Sequence, residues 1–157
     1  MDTTVQTSFD TIGLSEPLLR DLAAAGFLVP TPIQGQAIPP ALAGRDVIGC
    51  AQTGTGKTAS FGMPTLQMVD PAGRLQLLVM TPTRELAAQV VGEFRRIAKY
   101  SELHCVPVYG GTGMKQQLHQ LGKKPHVVFG TPGRILDLLQ RRVLKFECIR
   151  FVILDQE

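Results

Sequence analysis

The eight residues Ala51-Gln52-Thr53-Gly54-Thr55-Gly56-Lys57-Thr58 constrain this chain more than any other segment, because of what flanks them. Upstream lies the short apolar run Asp46-Val47-Ile48-Gly49-Cys50, which reads as a strand, and downstream, residues near 57–69 carry apolar side chains at helical spacing. Two glycines at such a joint let the backbone curl until successive N–H groups converge, and the first turn of the helix adds the positive end of its dipole. The natural guest is a polyphosphate, with Lys57 reaching the β and γ phosphates and the Thr58 hydroxyl offering a ligand to magnesium. A strand-to-helix turn without a ligand would account for the glycines but not for Lys-Thr in the first turn behind them.

Four more apolar runs rich in β-branched residues follow: Leu77 to Thr81, Cys105 to Tyr109, His126 to Gly130 and Phe151 to Asp155. Continuous runs of this kind fit strands buried on both faces of a parallel sheet. Residues near 84–99, 114–122 and 132–142 are helical in pattern, as in Leu86, Val90, Phe94 and Ile97. Alternation of strand and helix predicts an α/β fold, a mostly parallel open sheet with helices on both faces and right-handed crossovers. The first forty residues differ. Leu14, Leu18, Leu19 and Leu22 outline a helix that stops near Gly26, and Pro30-Thr31-Pro32 opens another, a helical preface to the sheet.

With 44% apolar and 18% charged residues, the 157-residue chain is expected to form one structural domain. A signal-peptide pattern is missing from Met1 to Gln6 and no apolar run is long enough to span a bilayer, so the protein is expected to be soluble, cytoplasmic and free of membrane contacts. Cys50, Cys105 and Cys148 are widely spaced and read as reduced, mostly buried thiols. His104, His119 and His126 show no metal-ligand spacing, and the formal charge of +3 does not by itself point to nucleic acid.

The usual phosphate-loop pattern G-x-x-x-x-G-K-S/T opens on glycine, whereas Ala51 stands there in this chain. The form A-x-x-G-x-G-K-T, together with further segments in matching order over nearly the whole chain, resembles the first RecA-like P-loop domain of a DEAD-box ATP-dependent RNA helicase. Gly26-Phe27 and Pro30-Thr31-Pro32-Ile33-Gln34 resemble that family's Q motif, with Phe9 as its upstream aromatic. The resemblance implies that Gln34 reads adenine and Phe9 stacks on it, with Phe27 and Thr31 in the same site. A single amide both donates and accepts, which is what the adenine edge requires. Read alone, the segment is a proline-started helix with a solvated glutamine.

Three segments are implied to contact RNA through its backbone with little sequence preference: Pro82-Thr83-Arg84-Glu85, Gly110-Gly111, and Thr131-Pro132-Gly133-Arg134. Each follows an expected strand, at the carboxyl ends where open parallel sheets bind ligands. In isolation they are a capped helix start and two weak turn signals. Val152-Ile153-Leu154-Asp155 is an apolar strand ending in a carboxylate, and by resemblance Asp155 holds magnesium directly or through water. There the family continues with glutamate and alanine, but Gln156 and Glu157 stand here. An amide at 156 can position a water but cannot accept its proton, so hydrolysis is expected to be slow while ATP binding is spared.

The resemblance divides the chain into a helical Q-motif region, residues 1–40, and a RecA-like core, residues 41–157, incomplete at its second magnesium-binding element. It implies a further strand between the phosphate-loop strand and the Phe151 run, and a second RecA-like domain that supplies arginine fingers. A sheet with that slot open is expected to belong to a longer polypeptide, to close differently, or to self-associate through its edges. Two other readings stand beside the helicase: a catalytically impaired RNA clamp, favoured by Gln156, and another P-loop nucleotidase such as a GTPase or small-molecule kinase. Against a GTPase, the chain contains no asparagine and so no Asn-Lys-x-Asp guanine-reading motif.

Overall fold

A computed structural model describes residues 7–156; the N-terminal segment Met1 to Gln6 and Glu157 lie outside the described residues. Contacts gather into two compact units, the first ending at Met68 and the second starting at Val69.

The first unit is helical. A 3-10 turn, Phe9–Thr11, precedes α1 (Glu16–Ala24), α2 (Pro32–Leu42) and α3 (Lys57–Met68). Ser15 enters α1 in an extended conformation with a proline in the first turn, and Leu18 and Leu22, one turn apart, bury the same face. The helix stops where Gly26 takes φ +92°, which lets the Phe27 amide return to the Leu22 carbonyl at 2.9 Å. α2 packs against α3. The far end of α3 is tied to the start of α1 by Gln67, whose Oε1 accepts from the Ser15 amide at 2.8 Å and whose Nε2 donates to the Gly13 carbonyl at 3.2 Å.

Residues 46–50 do not form the expected strand. The segment has no regular structure, Ile48 is 97% exposed and Cys50 is exposed. A strand exists only when a neighbour takes its amides and carbonyls. Among the described residues, every ladder in the structure joins strands of the second unit, so apolar, β-branched composition in 46–50 finds no pairing to convert it into a strand.

The second unit is an α/β sheet. Its strands are β1 (Leu77–Met80), β2 (Cys105–Val108), β3 (Val127–Gly130) and β4 (Phe151–Leu154), all parallel in the order β2-β3-β1-β4. The connecting helices are α4 (Arg84–Ile97), α5 (Met114–Leu121) and α6 (Pro132–Gln140). Register places Leu78, Val128 and Val106 side by side on one face, where they join Ile135 and Leu138 of α6 and, at the margin, Met114 and Leu121 of α5. On the opposite face Phe129 meets Phe94 of α4 edge-on, centroids 5.1 Å apart. Helices therefore cover both faces. α4 buries Val90, Phe94 and Ile97 as its periodicity predicts, with Ala87 and Val91 widening the stripe. β4 closes the row as an edge strand, and its Val152 and Leu154 are 55% and 63% exposed.

His126 is a structural histidine. Its Nδ1 accepts from the His104 amide at 2.8 Å, leaving Nε2 to donate to the Pro71 carbonyl at 2.8 Å. The cysteines differ from expectation, because Cys50 and Cys148 are exposed and Cys105 alone of the three is buried. Cys50 is uncovered for the reason given for residues 46–50, and Cys148 lies in the loop before β4. Burial pushes the Cys105 thiol up to about 11, against the opposing pull of the Arg95 guanidinium. At pH 8 a thiol reagent should label two thiols quickly and the third only on unfolding, with Cys105→Ser removing the slow phase. An unfolded chain releases this proton near 9.0 and the folded one near 11, so stability should fall as pH rises across that interval. Three equally fast thiols in the native protein would contradict the burial.

Candidate functional site

In the first unit the phosphate-loop residues form a turn that ends in α3. Gly54 and Gly56 both take left-handed φ, +83° and +81°, which only glycine adopts without strain. The loop is braced internally, with the Thr55 hydroxyl donating to the Gln52 carbonyl at 2.6 Å. Gln52, Thr53 and Gly54 are exposed, while Ala51, Thr55, Gly56, Lys57 and Thr58 are half-buried. Nothing stands within 4 Å of a side chain built at Gly54. Open space beside the left-handed Gly54, directly ahead of the N-terminus of a twelve-residue helix, is an arrangement that can accommodate phosphate.

Gln34 lies behind this loop rather than out in solvent. It is 2% exposed; its Oε1 accepts from the Thr31 amide at 3.0 Å and its Nε2 donates to the Gly56 carbonyl at 3.1 Å. One side chain thus caps α2 and holds the glycine at which α3 begins. Beside it the Thr31 hydroxyl is buried at the start of α2, where it forms a capping box with Gln34, and its oxygen is 3.2 Å from where a Gly56 side chain would start. Phe9 is 5% exposed and Phe27 half-buried, so Phe9 offers an incoming base little free face in this arrangement.

The second unit gathers the other candidates along one sheet edge. Strand order puts the residues after β2, β3 and β1 next to one another, and neighbouring strands run about 4.8 Å apart. Gly110 and Gly111 follow β2, Thr131-Pro132-Gly133-Arg134 follows β3, and Pro82-Thr83-Arg84-Glu85 follows β1. Asp155 and Gln156 continue the row after β4; Asp155 is 6% exposed and Gln156 is exposed. Thr83 caps α4 by accepting from the Leu86 amide at 3.2 Å. Arg84 donates to the Gly110 carbonyl at 3.4 Å, and a side chain at Gly111, whose φ is +86°, would strike that guanidinium. Gly130 is equally exacting, since a side chain there would come within 2.6 Å of the Val108 carbonyl and 2.8 Å of Ile135. Its absence lets α6 begin close over the sheet.

Pattern reading misses Gln117. It is 2% exposed, donates to the Tyr109 carbonyl at 2.7 Å and accepts from Arg134 at 2.7 Å. The available signal was a glutamine on the same helical stripe as Met114 and Leu121, where an amphipathic helix places apolar residues. Among the described residues no group of three or more His, Cys, Asp or Glu side chains gathers to hold a metal. An oxygen-seeking ion would have to draw part of its coordination from phosphate and water, as magnesium does.

The brace at Gly56 is open to test. Gly54→Ala and Gly56→Ala impose the same left-handed strain, about 1–2 kcal/mol. The second also drives its methyl group into the Gln34 amide, so it should cost at least about 1 kcal/mol more in urea unfolding. Equal losses would mean that Gln34 does not hold the loop.

Comparison with known proteins adds to this geometry. The family described as DEAD/DEAH box helicase matches residues 31–157. A DEAD-box ATP-dependent RNA helicase CshA of Bacillus cereus is 47% identical over 151 residues, covering 96% of this chain and 29% of the relative. RNA helicase CrhR of Synechocystis is 45% identical over 156 residues, covering 99% of this chain and 32% of the relative. The crystal structure of a DEAD box protein from the hyperthermophile Methanococcus jannaschii superposes with a TM-score of 0.88 at 37% identity, over 94% of this chain and 41% of that one. The chain thus spans about a third of the length of these curated relatives.

Proposed function

Because this chain belongs to the DEAD/DEAH box helicase family, we propose that it is the ATP-binding portion of an ATP-dependent RNA helicase, which couples nucleotide binding and hydrolysis to the remodelling of RNA duplexes. The observation that carries the reading is the pair of left-handed glycines opening α3, with Lys57 as its first residue. Backbone amides and Lys57 balance phosphate charge, and the Thr31 hydroxyl and Gln34 amide lie where adenine recognition would draw on them, Gln34 by exchanging its present partners for the base. Thr58 in the first unit offers an oxygen donor of the kind magnesium takes, and Asp155 in the second unit offers another by itself; when bound, magnesium would neutralise phosphate charge.

RNA is proposed to lie along the sheet edge that carries Thr83, Arg84, Gly110, Gly111, Thr131 and Arg134, gripped through phosphates and 2′-hydroxyls. A second RecA-like domain in the longer protein is proposed to complete the active centre, so this portion alone binds nucleotide and unwinds nothing. A cytoplasmic location goes with that role; among the described residues, no helix is long and apolar enough to cross a membrane.

Gln156 favours a second reading, an RNA clamp with impaired turnover, since its amide cannot take the proton of an attacking water. Assays on the full-length protein separate the possibilities. ATP should outcompete GTP, and Lys57→Ala should weaken ATP binding by about 100-fold or more. Gln156→Glu should raise RNA-stimulated phosphate release at least about 10-fold, within the usual reach of a general base. Equal affinity for ATP and GTP would refute the role given to Gln34, and no gain from Gln156→Glu would favour the clamp.

A further inference from the structure

Gln117 occupies a position that packing alone would give to leucine or methionine. It shares a helical stripe with Met114 and Leu121, both of which pack on the core, and is itself 2% exposed. A buried amide is costly unless its donor and acceptor are both used. Here both are, and they reach in different directions: Nε2 to the Tyr109 carbonyl after β2, Oε1 to the Arg134 guanidinium in the first turn of α6, each at 2.7 Å. Arg84, from the first turn of α4, reaches the neighbouring carbonyl of Gly110. The turn Tyr109-Gly110-Gly111 thus receives two arginines from two other elements, Arg84 directly and Arg134 through Gln117.

We infer that Gln117 is a positioning residue for RNA, one that aims the Arg134 guanidinium and locks it to the Tyr109–Gly111 turn so that the elements after β2 and β3 present a single surface. The inference rests on the RNA-binding role proposed above for Arg134. The amide is suited to this task in a way that a carboxylate is not. A neutral acceptor orients the guanidinium through one N–H and leaves its charge and its other N–H groups for a phosphodiester. Glutamate at the same place would pair with Arg134, cancel its charge locally and repel the Tyr109 carbonyl. Arg134 is half-buried, so part of it stays accessible while its stem is held.

The test uses the full-length protein with a fluorescently labelled single-stranded RNA and a non-hydrolysable ATP analogue, read by anisotropy. Gln117→Met keeps the volume and the apolar stripe while removing both bonds; it should weaken RNA binding by about 3- to 10-fold and leave ATP affinity within about twofold. Gln117→Glu should weaken RNA binding as well and flatten its salt dependence by about 0.7 in the log–log slope, the share of one phosphate contact. In an Arg134→Ala background, Gln117→Met should add less than about twofold, because a residue that acts through Arg134 has nothing left to position. A full, independent loss in that background would overturn the inference in favour of a packing role, as would unchanged RNA binding in Gln117→Met when Arg134→Ala is impaired. If Arg134→Ala itself binds RNA normally, the failure belongs to the RNA reading beneath.

Discussion

The parallel, in-register pairing of β2, β3, β1 and β4 is the constraint on which the second unit depends. Parallel strands have all their carboxyl ends on one side, so whatever follows each strand is delivered to the same edge. Leu77, Val127 and Cys105 begin at one level of the ladder, and Met80, Gly130 and Val108 end at another. Residues more than twenty positions apart in sequence are thereby placed side by side. A one-residue slip would exchange the faces presented to α4 and α6 and break the Phe94–Phe129 contact, so the packing of both faces holds the edge in its order.

At that edge and at the phosphate cradle the supporting groups are neutral amides with both ends engaged. Gln34 joins the start of α2 to Gly56, and Gln117 joins the turn after β2 to Arg134. Gln76 does similar work at the other end of the sheet, accepting from the Asp70 amide at 2.9 Å and donating to the Asp70 carbonyl at 2.8 Å. Such groups cost free energy when buried and return it only through well-placed partners, so each ties its loop to one geometry. They do so without adding charge, which matters where the proposed ligand is a polyanion.

Much of the local structure of the candidate site was legible in the chain. The loop from Ala51 to Thr58, the capped start at Thr83, the glycine pair 110–111 and the turn at Thr131 carry local signals, because glycine at positive φ and a threonine before a helix answer to backbone requirements that act within a few residues. The strands from Leu77, Cys105, His126 and Phe151 were legible for the same kind of reason, as apolar runs bounded by turns. Residues 46–50 have the same composition and are not a strand. Their amides would have to be taken by another strand, and no local property of Val47 or Ile48 reports whether one is there.

What the sequence determined by itself is the helices, four of the five expected strands, their order and the loop chemistry, since propensity, capping and glycine stereochemistry operate over short stretches of chain. What only the tertiary structure decided is which partners the polar groups find: that Gln34 spans Thr31 and Gly56, that Gln117 turns inward to Tyr109 and Arg134, that Arg84 rests on Gly110, and that Cys50 stays exposed while Cys105 does not. Hydrogen bonds and burial are relations between distant segments, and they acquire values only once the fold has set the distances.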